Sequence, residues 1–238
     1  MKNIQADLTA LAARYGITVT PKQAEQFQSY LELLLAWNEK INLTAITEPD
    51  DVVVKHFLDC MLILSHCGIP EGARCMDVGT GAGFPGVVLK IMRPDLRLTL
   101  LDSLNKRLTV LADILEKLGL QAELVHERAE EAGRKTLYRL QYDFVTARAV
   151  AALPVLCEYC MPFVRQGGIF AAMKGPKARE ETVGAQKAVS VLGGTFLPPE
   201  EYTLPDVEGR SLILVRRTAP LSDRYPRHGS KITKTPIQ

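Results

Sequence analysis

The run "DVGTGAGFPG", residues 77–86, limits the folds open to this chain more than any other feature. It joins the short apolar stretch "ARCM" to the helical pattern "PGVVLKIMRPD". A strand that ends in glycines and turns directly into a helix lets its backbone pass close to a ligand. The helix start adds N–H groups with no partner of their own. Read from Gly81, "GAGFPG" spells the G-x-G-x-x-G of dinucleotide sites. Read from Gly79, "GTGAG" is the tighter G-x-G-x-G of proteins that bind S-adenosylmethionine. A bare structural turn would satisfy the same letters.

The pattern around this loop gives the fold class. "RLTLLD", "AELVHE", "YDFVTARAV" and "GGIFAAMKG" read as further strands. The helical stretches "SLNKRLTVLADILEKLGL", "LPVLCEYCMPFV" and "KAREETVGAQKAVSVLG" alternate with them, and "GTFLPPEEYTLP" and "RSLILVRRT" close the run. Such alternation predicts an α/β, Rossmann-like fold. Its sheet is mostly parallel with helices on both faces, and ligands bind at the carboxyl ends of the strands. Residues 1–68 read as a helical extension. Thr20 is a helix cap, Pro21 stands in the first turn, and Phe27, Tyr30, Leu31, Leu34, Leu35 and Ile41 form the apolar stripe. "PDDVVVKHFLDCMLILSHCG" reads as one further helix. The division expected is 1–68 helical region, 69–217 Rossmann-like domain and 218–238 basic tail.

No stretch reaches the ~20 uncharged apolar residues of a membrane span, and the N-terminus lacks the apolar run of a signal peptide. The expected compartment is the cytoplasm. The formal charge of +2 is uneven: Arg216–Gln238 carries six Arg/Lys and one Asp, net +5. A tail so charged either tracks a polyanion or only aids solubility. Of the five cysteines, Cys157 and Cys160 form a C-x-x-C. No second pair or histidine cluster stands at metal-ligand spacing, so both read as buried thiols and no metal is expected.

Three features weigh on the cofactor. Asp102 ends the second strand about 20 residues beyond the glycines, where a carboxylate binds ribose hydroxyls. Asp77 precedes the loop. It can hold the loop or meet the cationic end of an amino-acid-bearing cofactor, and it would repel a pyrophosphate. After the third strand, Glu130 in "ERAEE" can accept from an adenine amino group or stand as a surface acid. Phe84-Pro85 crowds the path a dinucleotide would take. Together these favour S-adenosyl-L-methionine.

Among other polar residues, Arg148 ends the fourth strand, where it can contact cofactor, phosphate or guanine O6. Lys174 holds the same place on the fifth strand, ready for RNA phosphate. Trp37, Asn38 and Asn42 are candidates for a target-base surface, although a lone tryptophan in a helical region is more often core. His56 and Asp59, at i, i+3, read best as a solvated helix pair.

The chain resembles the glucose-inhibited division protein B family of small-subunit ribosomal RNA methyltransferases. The resemblance runs through "LLLAWNEKINLTAIT", "VVVKHFLDCMLIL", "DVGTGAGFPGVVLKIMRPDLRLTLLDSLNKRLTVL", "VTARAVAAL" and "MKG" in one colinear order. It implies methyl transfer from S-adenosylmethionine to N7 of a guanine in the decoding-region loop of 16S ribosomal RNA. It further implies that Gly79, Phe84, Ala129, Glu130 and Arg148 contact the cofactor; the reading of the loop and of the second strand adds Gly81 and Asp102. The expected partner is 16S ribosomal RNA or the small ribosomal subunit, met by a monomer. No general base is expected, because guanine N7 carries a free lone pair. The alternatives are an NAD(P)-dependent oxidoreductase using "GAGFPG" and a non-catalytic RNA-binding assembly factor.

Overall fold

The computed structural model describes residues 2–237. The chain opens with α1 (Gln5–Ala13) and α2 (Pro21–Asn38). Thr20 and Gln23 close a reciprocal cap at the start of α2, which fixes where that helix begins. Gln23 also donates to the carbonyls of Ile91 and Met92, tying α2 to the end of a later helix. A single turn, α3 (Pro49–Val52), passes through a π-helical turn (Val53–Leu58) into α4 (Asp59–His66). The single uninterrupted helix expected here is therefore broken by a wider turn, a device frequent at functional sites.

The α/β alternation then begins. It runs β1 (Arg74–Val78), α5 (Gly86–Met92), β2 (Arg97–Asp102), α6 (Asn105–Lys117), β3 (Glu123–His126) and the short α7 (Ala129–Ala132). It continues with β4 (Tyr142–Arg148), α8 (Leu153–Cys160) and β5 (Val164–Lys174). The chain ends with α9 (Ala178–Gly184), α10 (Gln186–Val191), β6 (Gly194–Phe196), β7 (Glu200–Leu204), β8 (Val207–Arg217) and α11 (Gly229–Lys234). The sheet order is β3-β2-β1-β4-β5-β8-β6, with β7 also paired to β8. The first five strands are parallel, while β6 and β7 run antiparallel to β8 and β8 runs antiparallel to β5. Strand order reverses between β1 and β4, which opens a crevice at their carboxyl ends.

Alternation along the strands divides the core in two. Cys75, Leu98, Leu100, Phe144, Ala171, Leu212 and Leu214 face one side of the sheet and share a cluster with Phe27, Tyr30, Leu31 and Leu34 of α2. Met76, Val78, Leu101, Val145, Phe170, Ile213 and Val215 face the other, against Leu156, Cys157 and Cys160 of α8. Each fully buried Leu or Phe contributes about 1.5–3 kcal/mol, so the N-terminal helices are structurally bound to the sheet.

The basic tail is folded too. Arg227 donates from its backbone N–H, Nε and a terminal nitrogen to Glu158 on α8, at 2.6–3.1 Å. Glu158 is fully buried. Arg139 donates to the Tyr225 carbonyl at 2.7 Å, Arg134 donates to the Pro226 carbonyl, and Ile232 of α11 is buried. The segment is a strap across α7 and α8, so its charge is partly spent inside the molecule. Arg227→Met should lower the unfolding free energy by about 3–5 kcal/mol, because it leaves a charge buried alone. Adding Glu158→Leu should recover more than half of that loss. Denaturant midpoints of the three proteins test this, and a double variant no better than the single one would refute it.

Candidate functional site

The glycine loop is held from three sides. Gly79, Gly81 and Gly83 have φ of +70°, +60° and +99°, the left-handed region that costs any other residue roughly 1–2 kcal/mol. The N–H groups of Gly79 and Thr80 donate to the Leu101 carbonyl. Gly81 N–H donates to Asp102 Oδ2 at 2.9 Å, and Leu104 N–H donates to Asp102 Oδ1 at 2.9 Å. From the helical side, the Tyr30 hydroxyl donates to the Ala82 carbonyl at 2.6 Å.

Asp77 is fully buried behind the loop. Its Oδ2 accepts from the Thr80 hydroxyl at 2.7 Å and from Gly86 N–H at 2.9 Å. Burial pushes its carboxyl up to about 6, with Thr80 and Gly86 restraining the rise. Of the two roles open to Asp77, the geometry shows the brace. The carboxylate does not line the cavities in front of the loop.

Two cavities open at the carboxyl edge of the strands. The smaller, about 270 Å³, is lined by Gly79, Asp102, Glu127, Ala129, Glu130 and Val150 among others. Glu130 is buried, which removes the surface-acid alternative. Glu127 pairs with Lys135 through one oxygen, and its other oxygen is buried with no partner among the described residues. A Cβ on Gly79 would stand 2.7 Å from Val150, whereas one on Gly81 would meet nothing nearer than 3.9 Å. The cradle is thus closed by Val150 on one side and open above Gly81. An adenosine fits this chamber: a bare backbone faces it, and carboxylates stand ready for hydroxyl and amino donors.

The larger cavity, about 560 Å³, is walled by Thr44, His56, Asp59, Phe84, Arg148, Lys174 and Arg210 among others. It shares Gly79, Arg107 and Ala149 with the smaller one. Ala149, at φ +57°, is a left-handed non-glycine residue directly after β4. That turn carries Val150 over Gly79, and strain of this kind recurs at ligand sites.

Arg148 organises this chamber. It donates to the Lys55 carbonyl at 3.0 Å and to His56 Nδ1 at 2.9 Å, lies 3.5 Å from Asp59 Oδ2, and sits over the Phe84 ring at 5.0 Å. Arginine only donates, so His56 Nδ1 accepts and its Nε2–H donates to Thr44 Oγ1 at 2.9 Å. Burial, followed by the Arg148 charge, lowers the His56 pKa to about 3, so the ring is neutral as it stacks on Phe84 at 4.4 Å. Asn38 supports this network by accepting from the N–H groups of Leu43 and Thr44 and donating to the Thr44 carbonyl.

Several expectations are corrected. His56 and Asp59 are not a solvated pair. Both are buried in the cavity wall, and His56 pairs with Thr44 and Arg148. Lys174 lines the cavity, and its ammonium donates to the Ala151 carbonyl and to Glu181 at 2.8 and 2.7 Å. Trp37 donates to Asp113 at 2.7 Å and packs on the core, Asn38 is a loop brace, and exposed Asn42 lies outside the cavity lining. Cys157 and Cys160 are buried thiols, as their sequence context predicts, with the Cys157 thiol pushed up to about 12 by burial. Among the described residues no group of three His, Cys, Asp or Glu could hold a metal.

Arg210 was not anticipated. It lies 3.8 Å from Asp59 and has a buried Nε with no partner among the described residues. Because β8 is antiparallel, its beginning lands beside the end of β5, where Lys174 pairs with Ser211. A strand read as parallel places Arg210 at the opposite edge.

Solved structures share the fold at low identity. A SAM-dependent O-methyltransferase from Thermotoga maritima matches with TM-score 0.53 and 15% identity, over 79% of this chain and 72% of that one. TrmN from Thermus thermophilus matches with TM-score 0.54 and 15% identity, over 67% and 48%. Curated relatives are far nearer in sequence. "Ribosomal RNA small subunit methyltransferase G" of Lactobacillus helveticus is 48% identical over 94% of this chain and 95% of its own. That of Desulforamulus reducens is 43% identical over the whole of both chains. The model of the GidB family, rRNA small subunit methyltransferase G, matches residues 23–200. With the glycine cradle, the joined cavities and these matches in agreement, the chain belongs to the GidB family of rRNA small subunit methyltransferases.

Proposed function

We propose that this enzyme transfers a methyl group from S-adenosyl-L-methionine to N7 of a guanine in 16S ribosomal RNA. It acts as a monomer, in the cytoplasm, on the RNA or on the small ribosomal subunit. The observation that carries the proposal is the pair of cavities meeting at Gly79, Arg107 and Ala149. One suits an adenosine, and the other is wide and lined with guanidinium groups suited to a purine carrying acceptors.

When bound, the cofactor supplies a methyl group on a positively charged sulfur. Gly79, Gly81, Asp102, Ala129 and Glu130 would hold its adenosine end, with Phe84 and Arg148 towards the reacting end. Guanine N7 would take up that methyl group through a lone pair it already carries. No proton leaves in this step. The protein's task is orientation, for which effective molarity can supply roughly 7–11 kcal/mol. Arg148 keeps N–H donors beyond those given to Lys55 and His56, enough to engage guanine O6 and leave N7 free. Neutral His56 fixes the plane of Phe84 and the reach of Arg148, and it does not change its protonation near neutrality. The direct test is incubation with small subunits from cells lacking the enzyme, followed by mapping of the modified nucleotide. Appearance of the methyl group on any atom but a guanine N7 overturns the proposal.

Gly81→Ala adds a Cβ that touches no protein atom, so it should cost about 1–2 kcal/mol of stability through its φ alone. It should raise the cofactor Kd at least about tenfold, since the methyl enters the ligand's path. Calorimetric titration showing unchanged affinity would remove the cofactor from this loop.

The single-turnover rate at saturating substrates should be flat from about pH 7 to 9, since a required base would give an ascending limb at its own pKa. His56→Gln should keep that rate within about tenfold. Arg148→Ala should lower kcat/KM by about a hundredfold, or ~2.7 kcal/mol, with no new titration. An ascending limb in that range that disappears in His56→Gln would assign the histidine to the chemistry.

A further inference from the structure

The C-terminal strap does more than cover α8. A third cavity, about 660 Å³, lies between the strap and α7, walled by Arg128, Glu130, Tyr159, Arg227 and Gly229 among others. Arg128, Glu130 and Tyr159 also line the small chamber beside the glycine loop. The strap is therefore separated from that chamber by only a few side chains, and Glu130 is the buried one bearing a charge. Tyr159 stands close enough that the Glu130 charge, after burial, raises its phenol above the ordinary range.

One strap residue touches Glu130 in a telling way. A Cβ built on Gly229 would lie 2.0 Å from Glu130 Oε1 and 2.9 Å from its carboxyl carbon, with no other neighbour inside 3.5 Å. Gly229 begins α11 and has no left-handed φ. Neither the backbone conformation nor packing against the core calls for glycine here. The one group that a side chain would displace is the Glu130 carboxylate.

We propose that the strap is a wall of the cofactor site and that Gly229 is a positioning residue. Its missing side chain leaves the Glu130 carboxylate where it accepts from the 6-amino group of adenine. This inference rests on the reading that Glu130 faces the adenine. The Arg227–Glu158 latch, with Arg134 and Arg139 holding the strap carbonyls, keeps Gly229 against Glu130.

The substitution Gly229→Ala separates this role from a structural one. At a helical φ, alanine in place of glycine is neutral or stabilising for the fold, and the flexible carboxylate yields before the backbone does. Two probes are titrated into the full-length protein: S-adenosylhomocysteine, and S-inosylhomocysteine, in which oxygen replaces the amino group. The native protein should prefer the adenine compound. The variant should melt no lower than the native protein, bind the adenine compound at least about tenfold more weakly, as for a lost hydrogen bond to a charged group, and bind the inosine compound unchanged. Equal affinity of the native protein for both probes overturns the adenine role of Glu130 and this proposal with it. A native preference left intact in Gly229→Ala overturns the proposal alone. Amide exchange of residues 225–234 in the native protein provides a check free of any variant. Saturating S-adenosylhomocysteine should slow it, and unchanged exchange refutes the strap as a wall of the site.

Discussion

The site depends on a carboxylate that no ligand reaches. Asp77 sits in the core behind the glycine loop, and one of its oxygens gathers the Thr80 hydroxyl and the Gly86 N–H. That single acceptor joins the end of β1 to the start of α5 across a loop that glycine makes inherently loose. Burying an anion there is costly, as its raised pKa of about 6 records. The return is a loop whose remaining N–H groups are preset rather than sought by each ligand. Asp102 does the same from β2 through Gly81, so two neighbouring strands converge on one short run of backbone.

The second constraint is that the larger cavity is shared between regions far apart in the chain. Arg148 reaches from the end of β4 to the π-helical turn, Thr44, braced by Asn38, reaches the same turn from beyond the end of α2, and Arg210 arrives from β8. The N-terminal helices are thus part of the site as well as part of the core. The wider turn at Val53–Leu58 presents the Lys55 carbonyl and the His56 ring to one guanidinium together.

What the sequence made legible follows from what is local. "RLTLLD" coincides with β2 residue for residue, because a short apolar run bounded by charge leaves little choice. The cap at Thr20 and the apolar stripe of α2 are read as directly. The glycine run located the cradle because few other residues tolerate its backbone angles. Alternation tells which face a strand residue takes, however, and says nothing of strand direction. Hence the antiparallel course of β8 was not legible, and Arg210 went unseen. His56 and Asp59 looked solvated because spacing along one helix cannot reveal an arginine arriving from 92 residues away. The stretch 177–193 looked like one helix but breaks near Gly184 and Ala185. The tail's charge was legible, but its burial partner Glu158, 69 residues earlier, was not.

That latch has a consequence for how the molecule comes into being. Glu158 lies at the heart of the second core cluster's helix, yet its counter-charge comes 69 residues later in the chain. During synthesis, α8 and its strands leave the ribosome with an acid that cannot be buried ionised. It must stay wet until Arg227 emerges. One half of the core therefore waits on a residue made well after its own strands and helix. A chain cut short before the strap carries a fault at its centre rather than at its edge, which is where quality control would find it.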